Sequence, residues 1–179
     1  MTPRDILRFW FEETDPASWW SARPEFDSLV RERYGAVLPR AARGECFEWR
    51  ADAPGRLAEI IVLDQFSRNA YRGTAAAFAQ DPMALALAQE AVARGCHREL
   101  DPTRRGFLLL PFMHSESALI HATAEALYRE FGDANSLDFE LRHKAIIERF
   151  GRYPHRNAIL GRASTAAEVE FLKQPGSAF

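Results

Sequence analysis

Cysteine is scarce in this sequence, and its scarcity excludes two classes of protein. The 179 residues include two cysteines, Cys46 and Cys96, and neither belongs to a CxxC motif or to a Cys/His cluster. A disulfide-stapled secreted domain needs more cysteines, and a structural zinc site needs them at closer spacing. The sequence therefore predicts two reduced thiols in a cytoplasmic protein.

A charge of one sign and a long apolar run are also missing. The 23 basic residues nearly balance the 25 acidic ones, for a net charge of -2. This balance gives no electrostatic reason to expect a nucleic acid or an anionic membrane as partner. The longest apolar run, "FLLLPFM", is far shorter than the roughly 20 residues of a membrane span. "MTPRDILRFWFEE" has acids too early for a signal peptide.

The sequence also lacks the alternation of apolar and polar residues that is typical of β-strands. Runs such as "EIIVL" lie inside stretches of helical periodicity, and 47% of the residues are apolar, which is enough for a well-filled core. The sequence predicts an all-α protein of seven to nine helices, with residues 1–179 forming one domain. No repeat divides the chain, and no nucleotide-binding loop or nucleophile elbow is present. Neither a metal site nor a cofactor is therefore predicted.

Capping residues set the expected helix boundaries. Thr2, Asp52, Asp81, Asp101 and Thr165 are predicted to cap helices that follow them, and Gly151 is predicted to end one. One helix is expected from about Pro24 to Arg43, with Leu29 facing inward. Another runs from Asp52 to about Asn69. Pro111 is expected to kink or split the long segment that follows Asp101.

Polar residues occupy core-facing positions in "RLAEIIVLDQFSRNAYRG". Asp64 and Arg68 continue the apolar pattern of Leu57, Ile60 and Ile61, and they stand four apart in the favourable order for an ion pair. Two interpretations stay open, a partly buried salt bridge or a carboxylate that orients an arginine at the floor of a pocket. Gln65 and Asn69 lie close by as hydrogen-bonding groups.

A second polar group is "LPFMHSES". If Pro111 breaks the helix, Ser115 could cap a new one and Glu116 would lie in its first turn. The spacing of His114 and Glu116 alone is a weak metal signal. His121, on an apolar face, is interpreted as a core residue.

The third group lies at the end of the chain. His143 is predicted to point inward from a helical face shared with Phe139, Ile146 and Phe150. Beyond it, "RFGRYPHRNAILGR" turns at a proline and starts a short helix near His155. Free N–H groups at that helix start, together with Arg152 and Arg156, could hold an anion. Alternatively, these arginines cap the carbonyl groups of neighbouring helices.

These motifs carry a family resemblance. "LDQFSRN", "PFMHSE" and "RFGRYPHRNAILGRASTAAEVEFL" look like the motifs of the bacterial family called domain of unknown function 924, as do "ILRFWF" and "DPMALALA". The resemblance covers about residues 6–172 and implies antiparallel helix pairs similar to tetratricopeptide repeats. It implies no activity.

It does mark motif positions, which are Asp64, Gln65, Arg68, Asn69, His114, Ser115, Glu116, Arg152, His155, Arg156 and Asn157. Ser67 departs from the pattern, where many relatives have proline. The segment "SALIHATAEALY" departs too, so His121 is not expected to be a shared site residue.

Four functions are compatible with these residues. We predict a pocket, formed by the motif positions and His143, that binds a small anionic or polar ligand. A hydrolase-like enzyme could use the same residues for acid–base chemistry, and a helix-pair groove could bind a protein or peptide partner. A purely structural hydrogen-bond network is the fourth, which ranks lower because burying charges is an inefficient source of stability.

Overall fold

The fold is all-α, as the sequence predicts. The computed structural model describes residues 1–178, and within them there is no β-strand. No helix of this described part is long and apolar enough to cross a membrane. The chain divides into two compact units. One comprises Met1–Arg72 and Ala76–Pro111, and the other comprises Gly73–Ala75 and the chain from Phe112 onward.

The first unit begins with α1 (Pro3–Arg8), which continues as a wider π-helical turn over Phe9–Glu13. Its other helices are α2 (Pro24–Tyr34), α3 (Leu38–Ala42), α4 (Ala53–Ile61), α5 (Ser67–Ala70), α6 (Asp81–Ala93), α7 (Cys96–Glu99) and α8 (Pro102–Met113), whose last two residues belong to the second unit. α4 and α5 form one continuous helix that includes a second π-helical turn at Val62–Phe66. Such turns displace side chains from ordinary helical register and often mark functional positions.

The core of the first unit is aromatic. α1 packs against α4, and α2 packs against α5. Phe66, on the second π-helical turn, contacts the rings of Phe9, Trp10 and Tyr34 with centroids 5.9, 5.6 and 4.8 Å away. All four side chains are buried. Trp10 is thus a core residue, whereas Trp20 is 68% exposed.

The second unit contains α9 (Ala118–Phe131) and α10 (Ala134–Phe150), which pack against each other, followed by α11 (Ala166–Phe171). A short 3₁₀ turn at Pro154–Arg156 separates α10 from α11. Its apolar core consists of Ile146, Ile147 and Tyr153, with Phe150 and Phe171 packed against them. The predicted C-cap is confirmed, since Gly151 takes a left-handed conformation with φ of 68°.

Two boundary predictions and one burial prediction for the helices of the first unit are wrong. The helix expected from Pro24 to Arg43 is divided into α2 and α3, because Pro39 is found in the first turn of α3 rather than in a helix interior. Leu29 is 38% exposed rather than inward. Asp81 does not cap α6, because its carboxylate binds Arg68 instead.

The region after Pro111 also differs from expectation. α8 continues through Pro111 and ends at Met113. α9 then begins after Ser117, so Ser115 is not its N-cap. The Ser115 hydroxyl accepts the Ser117 N–H at 3.2 Å, and Glu116 lies before the helix.

Candidate functional site

The "LDQFSRN" motif forms a compact ion cluster in the first unit. Arg68 donates to both oxygens of Asp81, at 2.8 and 3.0 Å, and lies 3.1 Å from Oδ1 of Asp64. Gln65 donates to the other oxygen of Asp64 at 2.5 Å. Asp64 is 1% exposed and Arg68 17%. The Asp64 carboxylate therefore orients Arg68, as both interpretations of this pair require. Asp81 binds the same guanidinium through both of its carboxylate oxygens.

Asn69 belongs to a neighbouring cluster. It donates to Oδ1 of Asp27 at 2.8 Å, and Arg72 donates to both oxygens of the same carboxylate at 2.5 and 2.9 Å. Burial by itself raises the pKa of Asp27, but the hydrogen bonds from Arg72 and Asn69 outweigh it and hold the pKa below its usual range. Asn69 thus ties the end of α5 to α2.

The centre of the second unit is a fully buried histidine–carboxylate pair. Nδ1 of His121 on α9 lies 2.7 Å from Oε1 of Glu140 on α10, and both side chains are 0% exposed. Burial raises the pKa of Glu140, and the bond to His121 offsets only part of the rise. Within the described residues, Oε2 of Glu140 has no hydrogen-bond partner.

The hydroxyl of Tyr153 connects this pair to the end of α8. It donates to the carbonyl oxygen of Met113 at 2.5 Å and lies 3.1 Å from Nε2 of His121. The same Nε2 lies 2.9 Å from the carbonyl oxygen of Ser115. Glu140, His121 and Tyr153 therefore form a continuous buried chain of hydrogen bonds.

The partners of His121 determine its protonation. A carbonyl oxygen can only accept, so Nε2 carries a proton and donates it toward Ser115. The Tyr153 hydroxyl already donates to Met113, so its oxygen can only accept from His121. The pair with Glu140 then shares one more proton across the 2.7 Å contact. This chain resembles a carboxylate–imidazole–hydroxyl relay, but Nε2 has no lone pair with which to act as a base.

Glu116 closes a second network around the proline turn. It receives two hydrogen bonds from Arg162, at 2.6 and 2.9 Å, and one from the Tyr153 N–H at 2.7 Å. Arg162 also donates to Asn157, whose amide donates to Ser164. Burial favours a raised pKa for Glu116, but the bonds from Arg162 and Tyr153 hold it below its usual range. The anion at this turn is thus the chain's own carboxylate.

Arg152 takes part in a third closed arrangement. It donates to both oxygens of Glu168 at 2.6 and 2.8 Å and to the carbonyl oxygen of Ala163. Glu168 also accepts the Thr165 N–H in the capping box of α11, as the spacing of Thr165 and Glu168 predicts. The hydrogen bond from Arg152 is the largest cause of a lowered pKa for Glu168.

Imidazole and guanidinium groups surround the ring of Tyr153. His143, His155 and His121 lie with ring centroids 5.7, 5.6 and 6.3 Å from it, and the guanidinium of buried Arg156 lies 4.6 Å above it. We call Tyr153 with His114, His143, His155 and Arg156 the Tyr153 cluster. His114 and His155 are half-buried, so they are the members closest to solvent.

His143 is the most perturbed histidine of the cluster. Its Nδ1 donates to the carbonyl oxygen of Phe139 at 2.7 Å, which fixes the tautomer with Nε2 as the basic nitrogen. Burial lowers its pKa to about 3, and the nearby charges of His114, His121 and His155 add to that effect. His143 is therefore neutral at physiological pH.

Comparison with known proteins shows the family to which the chain belongs. The family model described as "bacterial protein of unknown function (DUF924)" matches residues 6–176, nearly the whole chain. The chain belongs to this family. A solved structure of a protein of unknown function from Agrobacterium tumefaciens is 37% identical, with a TM-score of 0.90 over 96% of each chain. A search of curated proteins finds no match.

Membership of the family fits the order of the motifs, but the positions the structure brings together differ from those the sequence singles out. The candidate residues are divided between the two units. The first unit contains Asp64, Gln65, Arg68 and Asn69, and the second contains His114, Ser115, Glu116, His143, Arg152, His155, Arg156 and Asn157. The single pocket that the sequence predicts for both groups stays a prediction.

Sequence reasoning did not single out Glu140, Tyr153 and Arg162, and it interpreted His121 as a core residue, which agrees with the full burial of that side chain. Glu140 stands three residues before His143 and shares its face of α10, and this spacing was an available signal. Phe139, which was expected on the inward face, is 37% exposed. Within residues 1–178, no three His, Cys, Asp or Glu side chains are grouped in a way that could hold a metal ion.

Proposed function

We propose that the Tyr153 cluster binds a small anionic or polar ligand, with His114 and His155 at its entrance. One observation carries the proposal, which is the gathering of a buried guanidinium and the imidazoles of His143, His155 and His121 around the ring of Tyr153. Guanidinium and imidazole N–H groups bind carboxylate or phosphate oxygens through charge-assisted hydrogen bonds. We also propose that the protein is cytoplasmic, because both of its cysteines are free thiols.

The other motif residues have a different role in this proposal. Glu116 with Arg162 and Glu168 with Arg152 are paired in closed networks, so their charges are already neutralised inside the protein. We propose that they hold the proline turn in place and do not contact the ligand. The motif stretch would thus combine a structural lock with a binding site.

An acid–base enzyme is the alternative, and two observations speak against it. Nε2 of His121 faces carbonyl oxygen and cannot accept a proton. His143, with a pKa of about 3, is far from the value near neutrality that suits a general base. Such an enzyme would therefore have to use His114 or His155 for proton transfer, whereas ligand binding needs no base.

A thermal-shift screen tests this proposal. Inorganic phosphate and small carboxylates are added to the wild type and to His155→Ala, Arg162→Ala and Arg129→Ala. A ligand at about 100 times its Kd stabilises by about 2.7 kcal/mol, which raises the Tm by about 5–10 °C in a chain of this length. We expect the shift in the wild type and its loss in His155→Ala.

The other two variants separate the lock from the site. Arg162→Ala should lose about 1–3 kcal/mol of stability because it leaves Glu116 without its partner, yet it should keep the ligand-induced shift. Arg129→Ala removes an exposed arginine of the same unit and should change neither property. Absence of any shift in the wild type, or an equal shift in His155→Ala, would overturn the proposal.

A further inference from the structure

A groove separate from the Tyr153 cluster lies along α10 in the second unit. Its volume is about 270 Å³. Ile146, Phe150 and Phe171 supply its apolar surface, Arg142 and Arg149 stand two helical turns apart on α10, and Pro175 and Gly176 form its far wall. The groove therefore combines an apolar floor with two cations.

Arg149 is held in place by aromatic rings. Its guanidinium lies 4.7 Å from the centroid of Phe150 and 5.7 Å from that of Phe171, and the two rings are 5.0 Å apart. Among the residues that the structure describes, Arg149 contacts no carboxylate. Stacking positions a guanidinium without using its N–H donors, so these remain able to bind an anion in a forked geometry.

Arg142 borders the groove from the other side. Its ion pair with Asp138 is long, 3.7 Å, and both side chains are well exposed to solvent. Such exposed pairs are weak. Gly176 approaches Arg142 closely, since a Cβ atom at Gly176 would lie 3.1 Å from Nη2 of that arginine. The turn that follows α11 therefore packs directly against this cation.

Acidic side chains of α10 do not occupy the groove. Glu148 lies 3.6 Å from Lys144, which also binds Glu125, and neither Glu148 nor Asp138 lines the groove. Two cations thus face an apolar floor with no carboxylate in its described lining. The two cations favour an anionic ligand, and the aromatic side chains of the floor favour a ligand with a flat apolar body.

We propose that this groove binds a small carboxylate with a flat apolar body, such as an aromatic acid. The carboxylate would accept hydrogen bonds from Arg149, and the charge of Arg142 would add to the attraction, while the body would lie on Phe171 and Ile146. This site is distinct from the Tyr153 cluster, because none of the cluster's residues lines the groove. The two sites are neighbours, since Ile146, Phe150 and Phe171 belong to the same apolar core as Tyr153.

Titration of the ¹⁵N-labelled protein with benzoate tests the proposal, with acetate and benzyl alcohol as probes that lack the ring or the charge. We expect saturable shifts at residues lining the groove with benzoate, and binding at least about tenfold weaker for the two partial probes. Arg149→Ala should weaken benzoate binding by about tenfold or more, the usual effect of losing a charged hydrogen bond.

Two matched variants complete the test. Arg129→Ala, which removes an exposed arginine on α9, should leave the benzoate-induced shifts of the groove residues unchanged. The same groove shifts should persist in His155→Ala, which alters only the Tyr153 cluster. Unchanged affinity in Arg149→Ala, equal affinity for benzyl alcohol, or no saturable shift at the groove would overturn the proposal. Loss of benzoate binding in His155→Ala would also overturn it, by assigning the ligand to the Tyr153 cluster.

Discussion

Glu116 and Glu140 are carboxyl groups of one unit whose pKa values move in opposite directions. Both are affected first by burial, which raises a carboxyl pKa. Glu116 has an arginine and a backbone N–H that stabilise its charge, and its pKa is lowered. Glu140 has a histidine and the charge of Lys144, which together do not outweigh burial, so its pKa is raised. The two groups should therefore have opposite effects on stability as the pH changes.

We predict the pH dependence of two variants from these shifts. The stability that ionised Glu116 adds is present above its ordinary pKa of 4.5 and is lost as the pH falls through its lowered value. The advantage of wild type over Glu116→Gln should thus shrink on acidification. The contribution of Glu140 is present below 4.5 and is lost as the pH rises through its raised value. The advantage over Glu140→Gln should shrink as the pH rises.

Urea unfolding of the three proteins between about pH 2 and about pH 8 measures both trends, because the Glu116 window lies below its ordinary pKa of 4.5 and the Glu140 window lies above it. Each can approach about 1.4 kcal/mol per pH unit within the range where the folded and unfolded protonation states differ. A trend of the same sign for both variants would contradict the assigned environments of the two carboxyl groups.

Individual site residues were predictable only where a local pattern marked them. His143 follows the apolar period of α10, and its inward position was predicted correctly. His121 and Glu140 lie on different helices, and no pattern within either helix predicts their 2.7 Å contact. Arg162 stands within the motif stretch, but its partner Glu116 precedes α9, far away in sequence. These pairings depend on how helices pack, which local patterns do not encode.

At the scale of the helix, capping residues were the reliable predictors. The side chains of Thr2, Asp52, Asp101 and Thr165 each accept a backbone N–H three residues onward, as predicted. These signals act over one turn and need no tertiary context. Asp81 fails because a distant arginine competes for the same carboxylate. The break between α2 and α3 could have been read from Pro39.

Two helical glycines provide a test in which propensity and packing disagree. Alanine in place of a helical glycine ordinarily stabilises by about 0.5–1 kcal/mol. Gly106 in α8 has nothing within 4 Å of its missing Cβ, so Gly106→Ala should follow this rule. At Gly55, in the first turn of α4, a Cβ would lie 1.8 Å from the carbonyl oxygen of Trp49. Gly55→Ala should therefore destabilise by about 1–3 kcal/mol or more.

Chemical denaturation of both variants beside the wild type measures the difference. If Gly55→Ala is as stable as Gly106→Ala, the close approach of Trp49 to α4 is wrong.

At the scale of the whole molecule, composition was enough for the fold class. Helical periodicity and the lack of strand alternation predicted an all-α chain, and the structure confirms it within the described residues. The resemblance to the family is confirmed by the match over residues 6–176. The likeness to tetratricopeptide repeats and the single domain stay predictions. The ligand remains a proposal, since family membership brings no activity with it.

The most direct test of the central claim, a ligand at the Tyr153 cluster, is NMR observation of the five histidine imidazoles during titration with inorganic phosphate and small carboxylates. His97 lies in the first unit and is an internal reference. We expect saturable shifts at His114 and His155, a His143 ring that stays neutral throughout, and unchanged signals from His97. Equal movement of all five rings, or none at His114 and His155 with any probe, would contradict the claim.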